Sequence, residues 1–350
     1  MKTSFISNQA MQNAMRLTIS RGQNEVQKLQ TEIVTGRHAD VGLALGARTS
    51  NSVTLNHNVE RLKGVQDSNS LVTQRLSASQ LALDLMADSA QQMLEAFISV
   101  NGADDADRLA IARRDVEASL GSFTVAANTS SNGEYLFSGI NSSQKPLDDY
   151  FGPGSPAKAA FDTTFSTHFG FTQSDPQVAN ISVADMDDFI TNVLEPAFSG
   201  ADWNSNWSSA SDTNMSSRIL DNEVVDSGTN ANSAGMRNFA LAAVIGLELL
   251  AAPISSEVRV ALNAGAIEYA GQAVTGIDNQ RSTLGLSENR VTKANVSLQS
   301  QIEILTLHLG DIEGVDAYEA STRMQTLLTQ VETSYTLTAR IQQLSLMNYL

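Results

Sequence analysis

Apolar positions fall into two long stretches of helical period, one in each flank of the chain, around a middle segment that lacks them. Met15, Ile19, Gly22, Val26, Leu29 and Ile33 are spaced alternately four and three residues apart, which is the seam of helices wound together. Gly36 stands where a C-terminal cap belongs. A second stripe runs through Val59, Leu62, Val65, Asn69, Val72, Leu76, Leu83, Met86, Ala90, Met93, Phe97 and Val100. It predicts a helix over about 50–100, roughly 75 Å long at 1.5 Å per residue, a rod longer than a compact globule needs. Asn101-Gly102 marks a turn, and a third helix is expected from about Asp104 to Ala127.

The other flank mirrors the first. A helix from Ser256 carries Val260, Ile267 and Val274. Near Leu284 a new phase begins, with Val291, Leu298, Ile302, Leu305, Leu309 and Ile312, weakened by Gly310 and Gly314. The last stretch carries Met324, Leu328, Val331, Tyr335, Thr338, Ile341 and Leu344, and its helical pattern continues to LSLMNYL. An antiparallel pair of the two terminal stretches would bury one face of each. Fixing backbone costs about 1–2 kcal/mol per residue. With little burial to offset that cost, the ends are expected to be loose in a free monomer and covered by other chains in an assembly. The candidate interface is Met15, Ile19, Val26, Leu29 and Ile33 with Leu328, Val331, Tyr335, Ile341, Leu344, Leu346, Tyr349 and Leu350.

Between the flanks the pattern changes. Tyr135-Leu136-Phe137 and Phe161 to Phe171 read as strand from their aromatic content. SVADMDDFITNVLEPAFSG reads as a short helix with Ser182 as N-cap. Arg218-Ile219-Leu220 and Glu223-Val224-Val225 around Asp221-Asn222 suggest a hairpin. Asn230 to Ala252 reads as a returning helix that stops before Pro253. The expected fold is mainly α: an antiparallel helical rod built by the two flanks, with a small α+β domain inserted. Its expected parts are a terminal helical pair (1–40 and 305–350), a rod (41–145 and 254–304) and an insert (146–253).

Composition sharpens these borders. All six prolines lie between Pro146 and Pro253. The net charge of −16 is concentrated there too, with 3 basic and 14 acidic side chains in 146–253 against 13 and 14 in 1–145. Such acidity argues against nucleic acid, whose phosphates need Lys and Arg, and suits a solvated surface that repels its copies. No apolar run approaches the roughly 18–20 residues of a membrane span. The chain has no cysteine, which excludes disulfides, thiolate metal sites and cysteine nucleophiles. That fits passage through a narrow export channel, and equally a cytosolic chain that lost its cysteines by chance.

Catalytic chemistry is not visible. His38, His57, His168 and His308 are never at i,i+4 to one another, so none has zinc-ligand spacing, and solvated or packed imidazoles account for them. Asp185, Asp187 and Asp188 lack the glycine and distant glutamate of a calcium loop and suit the first turn of a helix. GLALGA has no following lysine, and no G-x-S-x-G occurs. No catalytic, cofactor or metal site is expected. The first 24 residues carry Lys2, Arg16 and Arg21 with no acid, a composition shared with transit peptides, but the heptad seam runs through Arg21 unbroken.

Three stretches carry a family resemblance. LQTEIVTG (Leu29 to Gly36), ANTSSNGEYLFSGINSSQKPL (Ala127 to Leu147) and LSLMNYL (Leu344 to Leu350) resemble the bacterial flagellin superfamily, and within it the hook–filament junction branch. The resemblance covers both flanks and covers the insert poorly. It implies a structural subunit whose terminal helices pair in the tube wall and whose insert faces outward. It implies export without a cleaved signal through the flagellar type III apparatus, and assembly outside the cell into a ring. The implied partners are other copies of the chain, a hook-side junction protein, flagellin, and a cytoplasmic export chaperone at the C-terminal end. A divergent flagellin of the filament is the near alternative, and a coiled-coil signalling adaptor or an enzyme the distant ones.

Overall fold

The computed structural model describes residues 8–102 and 104–347. They divide into two units, one formed by the residues up to Gly64 with those from Ser297 onward, the other by Val65–Val296. The chain is mostly helical: long antiparallel helices pack together, and short two-stranded sheets lie in the middle region.

In the first unit, α1 (Asn8–Thr35) ends at Gly36, whose φ of +68° closes the helix as the sequence predicts. The short α2 (Val41–Leu45) is capped by Asp40, which accepts from the Leu43 amide at 2.9 Å. It leads into α3 (Thr49–Ser99). The unit also takes in the end of α10 (Ser256–Glu313) and the whole of α11 (Ala317–Met347).

The core of the second unit lies where α3 meets α10. Buried positions on α3 repeat every three or four residues through Leu76, Ser79, Leu83, Met86, Ala90, Met93 and Phe97, and all but Ser79 belong to the stripe read from the sequence. Polar ties fix the register between the two antiparallel helices. The Asn69 amide donates to Asn295 Oδ1 at 2.8 Å, Gln80 donates to the Arg281 carbonyl at 2.8 Å, and Asn263 donates to the Phe97 carbonyl at 3.0 Å. Asn69 and Asn263 are fully covered, and a buried amide inside an apolar seam disfavours slipped registers.

On α10 the core face is not the one that Val260, Ile267 and Val274 suggest. Val260 is exposed, and the covered residues are Val258, Leu262, Ala266, Ala270, Ala273 and Ile277. The reason is a close helix crossing. A Cβ on Gly276 would stand 2.5 Å from Gly235 Cα, and one on Gly235 would stand 2.7 Å from the Gly276 carbonyl carbon. Gly235 lies on α9 (Ala234–Val244). Backbones so close leave room only for glycine at the crossing itself and for alanine beside it, not for branched side chains. The helix also continues without a break through Leu284 to Glu313.

The middle region is more helical than its aromatics suggest. Phe161, Phe165 and Phe169 lie on α5 (Pro156–Phe169), not on a strand. They are four residues apart, so they share one helical face and pack on one another and on Phe189. The ends of α5 are specified locally: the Ser155 hydroxyl caps it, Pro156 opens it, and Gly170 closes it at φ +80°. Next come α6 (Val183–Asp188), capped by Ser182, then a π-helical turn over Phe189–Leu194, then α7 (Glu195–Ala197) and α8 (Gly200–Asn206). The strands are short. β1 (Ser130–Ser131) pairs with β2 (Glu134–Tyr135), leaving Leu136 and Phe137 outside, and β3 (Ser216–Leu220) pairs with β4 (Glu223–Asp226) around the turn read at Asp221-Asn222. α4 (Ala106–Ala127) carries Phe123, which stacks on Phe239 of α9 at 3.8 Å. The returning helix of the middle region therefore shares the core of the flanks.

One part-buried network there predicts a stability that falls in alkali. The Tyr150 hydroxyl donates to Glu248 at 2.8 Å, and Lys158 Nζ reaches the same carboxylate at 3.0 Å. Burial, then the Glu248 charge, pushes the Tyr150 phenol well above its usual range. The folded state thus holds this proton more tightly than the unfolded state. Its contribution is complete below the unfolded tyrosine pKa of about 10 and is lost as pH rises above it. Urea midpoints should fall above pH 10, and Tyr150→Phe should flatten that fall. An equally steep fall in the variant would show that Tyr150 is not responsible.

Candidate assembly interface

α1 and α11 run antiparallel, and few polar contacts hold them. Gln23 Nε2 donates to the Tyr335 hydroxyl at 2.8 Å, and the Thr338 hydroxyl meets Met15 Sδ at 3.6 Å. Gly22 lets the helices approach: a Cβ there would stand 2.7 Å from Val331 Cγ2. A cavity of about 330 Å³ opens beside this point, bordered by Thr18, Glu25, Leu327 and Ser334.

The candidate residues do not all share one environment. Ile19 and Leu29 are buried, and Met15, Val26, Ile33 and Val331 are half-buried. Leu328 and Tyr335 remain 42% and 50% exposed. The side chains of Ile341, Leu344 and Leu346, and the whole of Tyr349 and Leu350, lie outside the described residues. The inner half of the seam is therefore spent on pairing within the chain, and an outer half is left open. Leu17, Val34 and Leu337 add to the open surface.

The polar residues on these helices have a common habit. Thr322, Thr326, Thr329, Thr333, Thr336 and Thr338 of α11 each donate the hydroxyl to the carbonyl four residues earlier. Thr18, Thr31 and Thr35 of α1 do the same. A hydroxyl satisfied by its own helix can be covered by another chain without losing a hydrogen bond.

Sequence reasoning missed the joint where the pair is anchored. Glu313, the last residue of α10, is 3% exposed. Its carboxylate accepts from the Ser52 hydroxyl and from Asn56 Nδ2 at 3.2 Å, and pairs with Arg37 Nη1 at 3.4 Å. The backbone closes the same joint: the His38 amide donates to the Glu313 carbonyl at 3.0 Å, and the Val315 amide to the Gly36 carbonyl at 3.0 Å. His38, read as a solvated or packed ring, lies 3.6 Å from Glu32 Oε1. One signal was legible. A glutamate at a helix C-terminus opposes the helix dipole, so its presence there implies a compensating partner.

No group of three or more metal-ligating side chains occurs among the described residues. No described helix is long and apolar enough to cross a membrane. The contacts that hold the described parts of α1 and α11 are contacts between helices.

Comparisons with known proteins agree with that reading. The model of the bacterial flagellin N-terminal helical region matches residues 6–142, and that of the flagellin C-terminal helical region matches residues 267–350. No curated protein matches the chain. A solved structure provisionally described as a flagellar hook-associated protein from Vibrio parahaemolyticus has a similar fold. Its TM-score is 0.53 at 10% identity, and the alignment covers 76% of this chain and 97% of that one. The two flagellin regions together span more than half of the sequence and contain the whole of α1, α3, α4 and α11, so the chain belongs to the flagellin family, as a structural protein of the bacterial flagellum.

Proposed function

We propose that this protein is the subunit of the ring that joins hook to filament. The observation that carries the reading is the open half of the α1–α11 pair. Leu17, Val34, Leu328, Tyr335 and Leu337 are exposed, and the neighbouring threonines have no hydroxyl left to satisfy. Such a surface gains on being covered by copies of itself. The terminal stretches (1–40 and 305–350) then form the inner wall, the flanking helices (41–145 and 254–304) the outer wall, and the acidic segment (146–253) faces solvent. Chain stretches like those of the junction branch support the ring over the filament. In this reading the neighbours are a hook-side junction protein below and flagellin above. The subunit travels unfolded through the type III apparatus, and a cytoplasmic chaperone holds its C-terminal end beforehand.

Deletion of the gene tests the role directly. The expected result is cells with hooks but no filaments, and flagellin monomer shed into the medium. Normal hooks with a shortened or altered filament would instead identify a filament subunit, the second reading, and the protein would then be abundant rather than scarce.

A truncation after Gln343 tests the interface. It removes Leu344, Leu346, Tyr349 and Leu350, and burying one leucine contributes about 1.5–3 kcal/mol at every subunit of a ring. The melting temperature should barely move while filament attachment is lost, with export checked by finding the protein in the medium. An exported, truncated chain that still carries filaments would rule the C-terminal end out as an interface.

A further inference from the structure

We propose that the fold makes Asn101 a site of spontaneous deamidation while it shields Asn132. In this reaction the backbone nitrogen after an asparagine attacks the side-chain carboxamide. It needs an unhindered nitrogen, and a glycine has no Cβ to obstruct the approach. The chain has two such pairs, Asn101-Gly102 and Asn132-Gly133, and all four residues are exposed. The backbone must also be free to bring the nitrogen onto the side-chain carbon, and there the two pairs part. Asn132-Gly133 is the two-residue turn of the β1–β2 hairpin. Ser131 pairs with Glu134 across it, and φ is +54° at Asn132 and +84° at Gly133, the pattern of a type I′ turn. That left-handed backbone points the Gly133 nitrogen nearly opposite to the Asn132 side chain. The hairpin is also tied down. The Leu136 amide donates to the Thr129 carbonyl at 3.0 Å and the Tyr135 amide to the Ser142 carbonyl at 2.8 Å. Arg75 donates to the Tyr135 carbonyl at 3.0 Å and pairs with Glu134 at 2.9 Å. Attack at Asn132 therefore waits on opening of the whole hairpin.

Asn101 stands just past the end of α3. Its amide donates to the Ile98 carbonyl at 3.2 Å, and the Val100 amide to the Phe97 carbonyl at 3.3 Å, both long for bonds of this kind. Val100 is buried and anchors the helix end, so Asn101 can rotate without disturbing the core. Only the last turn has to fray, and helix ends are among the cheapest places in a fold to open. The chemistry needs base and water alone. Base takes the Gly102 amide proton, the nitrogen bonds to Asn101 Cγ, and the Cγ–Nδ2 bond breaks as Nδ2 gains a proton and leaves as ammonia. Water then opens the cyclic imide at either carbonyl, giving aspartate or its β-linked isomer. Both products add a negative charge close in sequence to Asp104 and Asp105, and the isomer lengthens the backbone by a carbon atom. Asp104 lies 3.5 Å from Arg259 Nε, so the new charge arrives near a tie between the α3–α4 turn and α10. The site does not depend on which flagellar structure the chain builds.

The full chain should be held in mildly alkaline buffer, folded and in urea, and its proteolytic peptides followed over time by mass spectrometry. Isoelectric focusing of the intact protein is the second readout. In the folded chain Asn101 is expected to lose its amide about tenfold faster than Asn132, as an opening confined to a helix end allows. A more acidic form should appear at the same rate. Asn101→Gln should remove that form and leave the melting temperature unchanged, because the residue is exposed. In urea the two pairs should react at similar rates, since the hairpin that shields Asn132 is gone. Three results would each overturn the proposal: an unmodified Asn101, a folded chain in which Asn132 reacts as fast as Asn101, or a preference for Asn101 that persists undiminished in urea.

Discussion

Gly276→Ala is expected to destabilise the second unit by about 2 kcal/mol, while Gly265→Ala and Gly271→Ala on the same helix should stabilise it. Intrinsic helix propensity favours all three changes by about 1 kcal/mol. At Gly265 and Gly271 nothing lies within 4 Å of the new methyl group, so the propensity gain is kept. At Gly276 the methyl would stand 2.5 Å from Gly235 Cα and 2.9 Å from Gly235 N. Those are backbone atoms inside α9 and cannot swing aside. Relief requires moving α9, which carries Met236, Phe239 and the fully covered run to Ile245. Overpacking of this kind costs about 1–3 kcal/mol, and more when backbone must shift. Denaturant midpoints of the three variants decide the matter. Equal stabilisation in all three would mean that α9 and α10 do not cross where the structure places them.

That crossing also shows what the sequence could and could not convey. The stripe on α3 was legible because its buried residues are large, from Leu76 to Phe97, and large apolar residues at helical spacing have few other uses. The matching face of α10 was hidden because it is built from Ala266, Ala270 and Ala273, which are as common on surfaces as in cores. The valine and isoleucine row beside it drew attention and lies at the margin. Phe161 to Phe171 misled for a related reason. Aromatic density favours strand on average, yet the spacing of Phe161, Phe165 and Phe169 and the caps Ser155 and Gly170 all pointed to helix. The caps were the better guide, because they act on the backbone directly. The hairpin at Asp221-Asn222 and the cap at Ser182 were found by such local signals.

The composition borders were legible for a different reason. Acidity and proline mark 146–253 as a surface with its own character, but the buried core runs without a gap from Val72 to Ala294 and includes Phe239 to Leu250. Charge reports what faces water, and it is silent about which helices share an interior. The assembly interface sits between these cases. Its heptad spacing identified α1 and α11, but not the division of the seam into residues spent on pairing and residues left open. That division depends on how closely Gly22 lets Val331 approach, which is a fact of packing rather than of pattern.

Glu313→Ala is expected to loosen the whole first unit and leave the second intact. The carboxylate is the common acceptor for Ser52, Asn56 and Arg37, and it sits where two backbone hydrogen bonds join the Gly36 turn to the Gly314 turn. Removing it leaves Ser52, itself buried, without that partner and opens a void at the joint. Taking one member from a buried charged network costs about 3–5 kcal/mol. Arg37 is 45% exposed and can turn to water, so a loss of about 2–3 kcal/mol is the reasonable expectation here. Apart from the apolar seam around Ile19 and Leu29, the polar cross-links of the α1–α11 pair among the described residues are the bond from Gln23 to Tyr335 and the contact of Thr338 with Met15. Proteases should therefore cut near Gly36 and Gly314 several-fold faster in the variant, while the segment from Val65 to Val296 survives. Glu313→Gln, which keeps the hydrogen bonds to Ser52 and Asn56 but not the charge, should fall between the two. Cleavage at an unchanged rate in Glu313→Ala would show that the pair holds without the joint. In that case α1 and α11 would be a stable module before assembly, not a surface that its neighbours complete.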